Sequence, residues 1–177
     1  MAKAEYRVWF DNAPAAPEEL ARFSEIRIDQ GIGIAAEAQL DLAIGTDTTG
    51  LWPGIEDGHA QAFTRVRIEV KVADADFVPL IDGLLVGNRY EMKSDPDKSA
   101  MTLIVQDDSV QLDRDEKVAL FEDMAPQDIV TALFSEAGFT PDVDAAPDAG
   151  SALQRVVVQR GTSMQLLREL ARRLGMF

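Results

Sequence analysis

The stretch FTRVRIEVKVADADFVPLIDGLLVGNRYE, residues 63–91, decides the fold class. Arg65, Arg67, Glu69 and Lys71 alternate with Val66, Ile68, Val70 and Val72. Period two is the pattern of a strand with one wet and one buried face. Ala73, Asp74, Ala75 and Asp76 break the alternation and form a turn. The chain returns from Phe77 to Val86, apolar on both faces around Asp82 and Gly83. A glycine inside a strand marks a bulge or a close approach of another backbone. Two paired strands are marginal in water, so this hairpin requires more strands and a shared core.

The flanking sequence supplies them. Glu5 to Phe10 is a short strand, with Tyr6, Val8 and Phe10 against Arg7 and Trp9. A loop runs through Pro14 and Pro17, and Glu18 to Phe23 holds one helical turn. Ser24 to Gln30 alternates again, and Gly31 and Gly33 make the next turn. Ala36, Ala38, Leu40, Leu42 and Ile44 then oppose Glu37, Gln39 and Asp41, a long half-buried strand. After the hairpin, Lys93 to Ser99 is a polar turn, and Ala100 to Gln106 is a strand with Met101, Leu103 and Val105 on one face. Val66, Ile68, Val70, Val72, Leu40, Leu42 and Leu103 are expected to share one core. Asp107 to Lys117 is charged and is expected to loop over an open end.

The pattern changes near residue 123. Pro126, Gln127 and Asp128 open a helix with Asp123 as the expected cap. Ile129, Val130, Leu133, Phe134 and Ala137 form its stripe, and Gly138 ends it. Thr140 to Ala152 reads as a loop, and Arg155 to Gln159 as a short strand. Thr162 to Gln165 fits a capping box, followed by Leu166, Leu167, Leu170 and Leu174, with Gly175 closing the helix. Leu133, Phe134, Leu166, Leu167 and Leu170 are expected to pack as a second, smaller cluster. The expected fold is mainly β: an antiparallel β-barrel over residues 1–122, then a helix–strand–helix α/β appendage over 123–177.

Composition bounds function. The chain has 177 residues, is 46% hydrophobic and contains no cysteine, which suits a folded core and excludes disulfides and thiolate metal sites. The net charge of −14 disfavours nucleic-acid binding, because phosphate contacts require clustered Lys and Arg. An acidic surface keeps a protein soluble and also suits a conduit that an anionic polymer passes without sticking. MAKAEYRVWFDN lacks the apolar run of a signal peptide, and no apolar run approaches a membrane helix, so cytoplasmic synthesis without membrane contact is expected.

The chemistry-bearing residues are sparse. The sole histidine, His59, follows Asp57 in the irregular segment Gly45 to Ala62. No nucleophile elbow, P-loop or HExxH accompanies it. Asp95, Asp97 and Ser99 have the opening spacing of a calcium loop, but Ala100 and Gln106 stand where that loop needs Gly and Glu. Asp142, Asp144 and Asp148 read as a solvated acidic loop. Neither a catalytic residue nor a metal ligand nor a cofactor is therefore assigned. Trp52, with Ile55, is a candidate partner contact, since Trp is enriched at interfaces; as a lid over a barrel end it would be ordinary.

The strand order, the return strand LIDGLLVGNRYE, the DDSVQL segment, the helix APQDIVTALFSEAGF and the ending QRGTSMQLLRELARRLGMF resemble the tail-hub family. This is the phage late control gene D group, related to the hub half of type VI secretion spike proteins. The resemblance implies a structural baseplate hub of a contractile phage tail or phage-tail-like injection system, joining tail tube to central spike. Its implied partners are the tail tube protein, the spike and a small adaptor. Glu37, Gln39, Asp41, Arg67 and Glu69 would face the lumen. Family hubs carry a second barrel after the last helix, so the expectation is a single-barrel relative or an N-terminal fragment. A full hub would be a trimer, and this chain alone a monomer or weak oligomer. Assembly in the cytoplasm and incorporation into a virion or injection particle would follow. Outside the family, the alternatives are a carbohydrate- or peptide-binding β-module and a carboxylate-dependent hydrolase.

Overall fold

The computed structural model describes residues 4–45, 61–95, 98–146 and 156–176. The chain forms two compact units, Met1–Asp108 and Ser109–Phe177. This division falls earlier than the 122/123 boundary expected from sequence, for a reason that lies in the second unit.

The first unit contains β1 (Ala4–Phe10), β2 (Ala13–Pro14), α1 (Pro17–Leu20), β3 (Phe23–Asp29), β4 (Glu37–Ile44), β5 (Arg65–Val72), β6 (Val78–Glu91) and β7 (Ser99–Asp107). All pair antiparallel in one seven-stranded sheet of order β2-β1-β5-β6-β7-β4-β3. The sheet curls into a half-barrel and ends in two edges, where a closed barrel would have none. Val8, Phe10, Ala38, Leu40, Leu42, Ile44, Val66, Ile68, Ile81, Leu85, Met101, Leu103 and Val105 make its core. The period-two alternation places these residues on the concave face and their charged neighbours on the other. Val70 is only half-buried and Val72 is 54% exposed, so the expected core stops at Ile68 along β5. Those last residues pair with Ala4 and Tyr6 at the start of β1, where no further strand covers them among the described residues.

The turn after β5 closes with Ala75 N–H donating to the Val72 carbonyl, and Ala73 sits at φ 54°. β6 runs further than expected, to Glu91. Its two irregularities are one-residue shifts, at Leu80 against β5 and at Val86 against β7. Gly83 is the close-approach case: an added Cβ would lie 2.1 Å from the Gln106 carbonyl oxygen. The bulges at Leu80 and Val86 bend this long strand, whose first half pairs with β5 and second half with β7.

The second unit contains β8 (Glu116–Glu122), α2 (Pro126–Glu136), β9 (Val156–Thr162) and α3 (Ser163–Leu174). Most of the charged segment expected to loop, Asp107–Lys117, is a 3-10 turn at Asp108–Asp113, and β8 begins at its end, with Glu116 and Lys117. β8 pairs along its whole length with β9, which is why it belongs with the helices rather than the half-barrel. Ile129, Leu133, Leu166 and Leu170 form the cluster between α2, α3 and the ribbon, with Phe121, Val157 and Leu167 against it. Phe134 does not join them; its ring meets Phe139 edge-on at 6.0 Å. Ala125, not Asp123, is the N-cap of α2, because Pro126 occupies the first helical position. α3 has the expected capping box at Thr162 and Gln165 and a left-handed Gly175 at its end.

Candidate functional site

The convex face of the half-barrel carries every lumen candidate that the structure describes. β4 presents Glu37, Gln39 and Asp41 by alternation with buried Ala38, Leu40 and Leu42. β5 presents Arg67 and Glu69 by alternation with Val66 and Ile68. β6 and β7 separate these two strands, so the five residues form two groups on one face.

The first group is built across β4 and β7. Gln39 Nε2 donates to Glu37 Oε1 at 2.9 Å, and Gln106 Nε2 donates to Glu37 Oε2 at 3.0 Å. Thr102 Oγ1 donates to Asp41 Oδ1. Gln106 and Thr102 stand directly opposite Glu37 and Asp41 in the strand register. The Gln39 and Gln106 hydrogen bonds, with the charge of Arg89 behind them, hold the Glu37 carboxyl below its ordinary value against the opposing effect of burial.

The second group is built across β1 and β5. Glu69 accepts from Trp9 Nε1 at 3.1 Å and is paired with Arg67 at 3.2 Å and Arg7 at 3.5 Å. The Arg67 guanidinium lies over the Trp9 ring at 4.8 Å, and that of Arg7 over Phe77 at 3.3 Å. Nearby, Arg65 bridges two acids, with Nε 2.8 Å from Asp82 and a two-pronged contact to Asp108 at 2.9 and 3.2 Å. The paired carboxylates, Asp108 foremost, raise the Arg65 pKa. The Arg65–Asp82 and Arg67–Glu69 contacts through Nε are ion pairs without hydrogen-bond alignment.

Charges neutralise one another in the second group, whereas in the first Glu37 and Asp41 are held by the uncharged donors Gln39, Gln106 and Thr102. Arg7, Arg65, Arg67 and Lys71 each have an acid beside them, and no group of three or more His, Asp or Glu suited to a metal occurs among the described residues. Alternation alone placed Glu37, Gln39, Asp41, Arg67 and Glu69. It did not single out Thr102, Gln106, Arg7 or Trp9, whose roles follow from register; the polar positions of β7 and β1 were the available signal. Trp52, Ile55 and His59 lie outside the described residues.

No known family model matches the chain, and no curated protein matches it in sequence. A curled antiparallel half-barrel followed by a strand–helix–strand–helix unit is a fold found in phage tail proteins. The 43 kDa tail protein of prophage MuSo2 from Shewanella oneidensis shares it with a TM-score of 0.70 over 98% of this chain, at 13% identity. A tail protein from Neisseria meningitidis MC58 shares it with a TM-score of 0.61 over 97%, at 14% identity. An E. coli component of the type VI secretion system, itself structurally similar to T4 bacteriophage tail proteins, matches with a TM-score of 0.53 over 83%, at 10% identity. The chain spans 49%, 46% and 42% of these three structures, about half of each.

Proposed function

We propose that this protein is a structural baseplate hub component of a contractile phage tail or phage-tail-like injection system, set between tail tube and central spike. The observation that carries the reading is the fold shared with tail proteins over 98% of the chain. In this reading Glu37, Gln39, Asp41, Arg67 and Glu69 line the lumen. Their internal pairing supports that role, since a wall whose charges are already satisfied offers passing cargo few sites to bind. The net charge of −14 adds repulsion toward an anionic polymer. Tail tube protein, spike and a small adaptor are the partners, and the function is assembly rather than catalysis.

The test is light-scattering mass against salt, with and without purified tube protein. Co-assembly into a larger ring, favoured as salt screens like-charged surfaces over about 8 Å, is expected. A tight, salt-independent dimer without affinity for tube protein sinks the reading and favours a peptide- or carbohydrate-binding β-module.

A further inference from the structure

The half-barrel sheet leaves two stretches of strand edge without a neighbour among the described residues. β3 ends the sheet on one side with Phe23–Asp29. On the other side β2 pairs with β1 only at Trp9 and Phe10, so Ala4–Arg7 has no strand beyond it. Neither stretch contains proline or lysine, which blunt natural sheet edges. Within one chain β1 and β3 stay unpaired and border an open cleft of about 470 Å3, lined by Tyr6, Ile26 and Ile28 among others.

The direction of the free backbone groups follows from their neighbours. The Val8 carbonyl accepts from Ala15 N–H on the outer side of β1. Carbonyls alternate along a strand, so Ala4 and Tyr6 turn theirs outward too. The Ala36 carbonyl, just ahead of β4, accepts from Asp107 of β7, so the even residues of β4 bond to β7 and the odd ones to β3. Ile26 and Ile28 stand opposite Leu40 and Ala38 and therefore turn their own groups outward. The side chains alternate as well. Glu25 and Arg27 are exposed, and among the described residues neither makes an ion pair. Glu5 and Arg7 sit beside Lys71 and Glu69 but keep 41% and 44% of their side chains exposed.

We infer that β3 of one copy of this chain pairs with β1 of the next, head to tail, with Tyr6 opposite Ile26. Five antiparallel steps lead across the sheet from β1 to β3, so the two strands run in opposite directions. A second copy's β1 laid beside β3 thus continues the sheet antiparallel, polar face beside polar face. Charge selects the register. With Tyr6 opposite Ile26, the outward backbone groups meet, Glu5 faces Arg27 and Arg7 faces Glu25. A shift of two residues one way sets Glu5 against Asp29 and Arg7 against Arg27. The same shift the other way sets Glu5 against Glu25. An odd shift turns the apolar face of one strand beside the polar face of the other. This match of charge and polarity is what makes the occupant of the β3 edge a second copy. Because the two edges differ, the contact repeats from copy to copy and does not close at two. It joins only Ala4–Arg7 to Glu25–Ile28 and acts against a charge of −14 on each copy, so it is weak and assisted by salt. The inference rests on the two edges of this chain and not on the proposed place between tube and spike.

Cross-linking tests it, since the chain contains no cysteine. E5C and R27C are made separately in the full chain and oxidised, alone and as an equimolar mixture, at about 200 μM in roughly 0.15 M salt. In the inferred register these positions form a non-hydrogen-bonded pair with Cα atoms about 4.5 Å apart, close enough for a disulfide. The mixture should give the E5C–R27C cross-link several-fold above either variant alone. In sedimentation equilibrium the parent mass should rise past the dimer with concentration. E25R and R27E should each weaken association about tenfold or more, although E25R makes the chain less acidic. The double variant E25R/R27E should be weak too, because both charges then oppose β1. Circular dichroism checks that each variant is folded. Absence of the mixed cross-link overturns the inference, even where the chain co-assembles with tube protein. The mixed cross-link supports it, even where the chain has no affinity for tube protein. R27C that cross-links to itself as well as to E5C overturns it, as does a mass that stops at the dimer. A disulfide within one chain of E5C/R27C at about 1 μM overturns it by closing β1 on β3 in the same copy. Parent-like association of folded E25R, R27E or E25R/R27E overturns the register and with it the inference.

Discussion

Gly83 and Gln106 are in backbone contact: a Cβ on Gly83 would stand 2.1 Å from the Gln106 carbonyl oxygen and 2.8 Å from the Cα of Asp107. Gly83 pairs with Asp107 at one end of the β6–β7 ladder, and only a residue without a side chain fits there. Gly83→Ala has no flexible side chain to displace, so the strands themselves must separate. A loss of about 3 kcal/mol is expected in urea unfolding. Parent-like stability would show that the two strands do not approach as described.

Val66 and Val72 lie on the same strand face but differ in cover, the first fully buried and the second 54% exposed. Val66→Asp places an unpaired charge in the core and should cost roughly 3 kcal/mol or more. Val72→Asp should change stability by no more than about 0.5 kcal/mol. Equal effects in thermal unfolding would refute this placement of the core's limit.

Thr162 does two tasks in the second unit. Its hydroxyl accepts from Gln165 N–H at 3.2 Å at the start of α3 and donates to Asp113 Oδ1 at 2.6 Å. Thr162→Ser keeps both bonds, whereas Thr162→Val keeps the shape and loses them. The valine variant should lose about 1–2 kcal/mol and the serine variant far less, read from urea unfolding. Indistinguishable variants would mean that packing, not capping, matters here.

Glu37 links stability to acid. Its carboxyl titrates below the ordinary value of 4.5, held there chiefly by Gln39 and then Gln106. A group whose folded pKa is depressed adds stability above its unfolded pKa and loses it as pH falls through the folded value. The contribution is therefore complete at neutral pH and disappears below about pH 4.5. Glu37→Gln should flatten the acid limb of stability against pH while leaving the limb above neutrality unchanged. An unaltered acid limb would disprove the linkage.

Much of the first unit was legible along the chain. The alternations in β1, β4, β5 and β7 separate a core face from a polar face without any tertiary information, because strand side chains alternate strictly. The same alternation placed Glu37, Gln39, Asp41, Arg67 and Glu69 on one side. The capping box at Thr162 was equally local, since its bonds span one helical turn.

β8 was not legible, because apolar residues stand on both of its faces. Val118 and Leu120 are exposed at 85% and 55%, while Lys117, Ala119 and Phe121 face the helices. Only pairing with β9, distant in sequence, makes EKVALFE a strand, and that pairing moves the boundary between units to Asp108. Edge status is likewise nonlocal. β3 and β4 carry the same kind of alternation, but the curl and strand order leave β3 with one paired side and β4 with two. In the half-barrel the sequence determined which faces are wet; the tertiary structure decided which strands end the sheet, because hydrogen-bond partners far along the chain are chosen only when the sheet folds around its core.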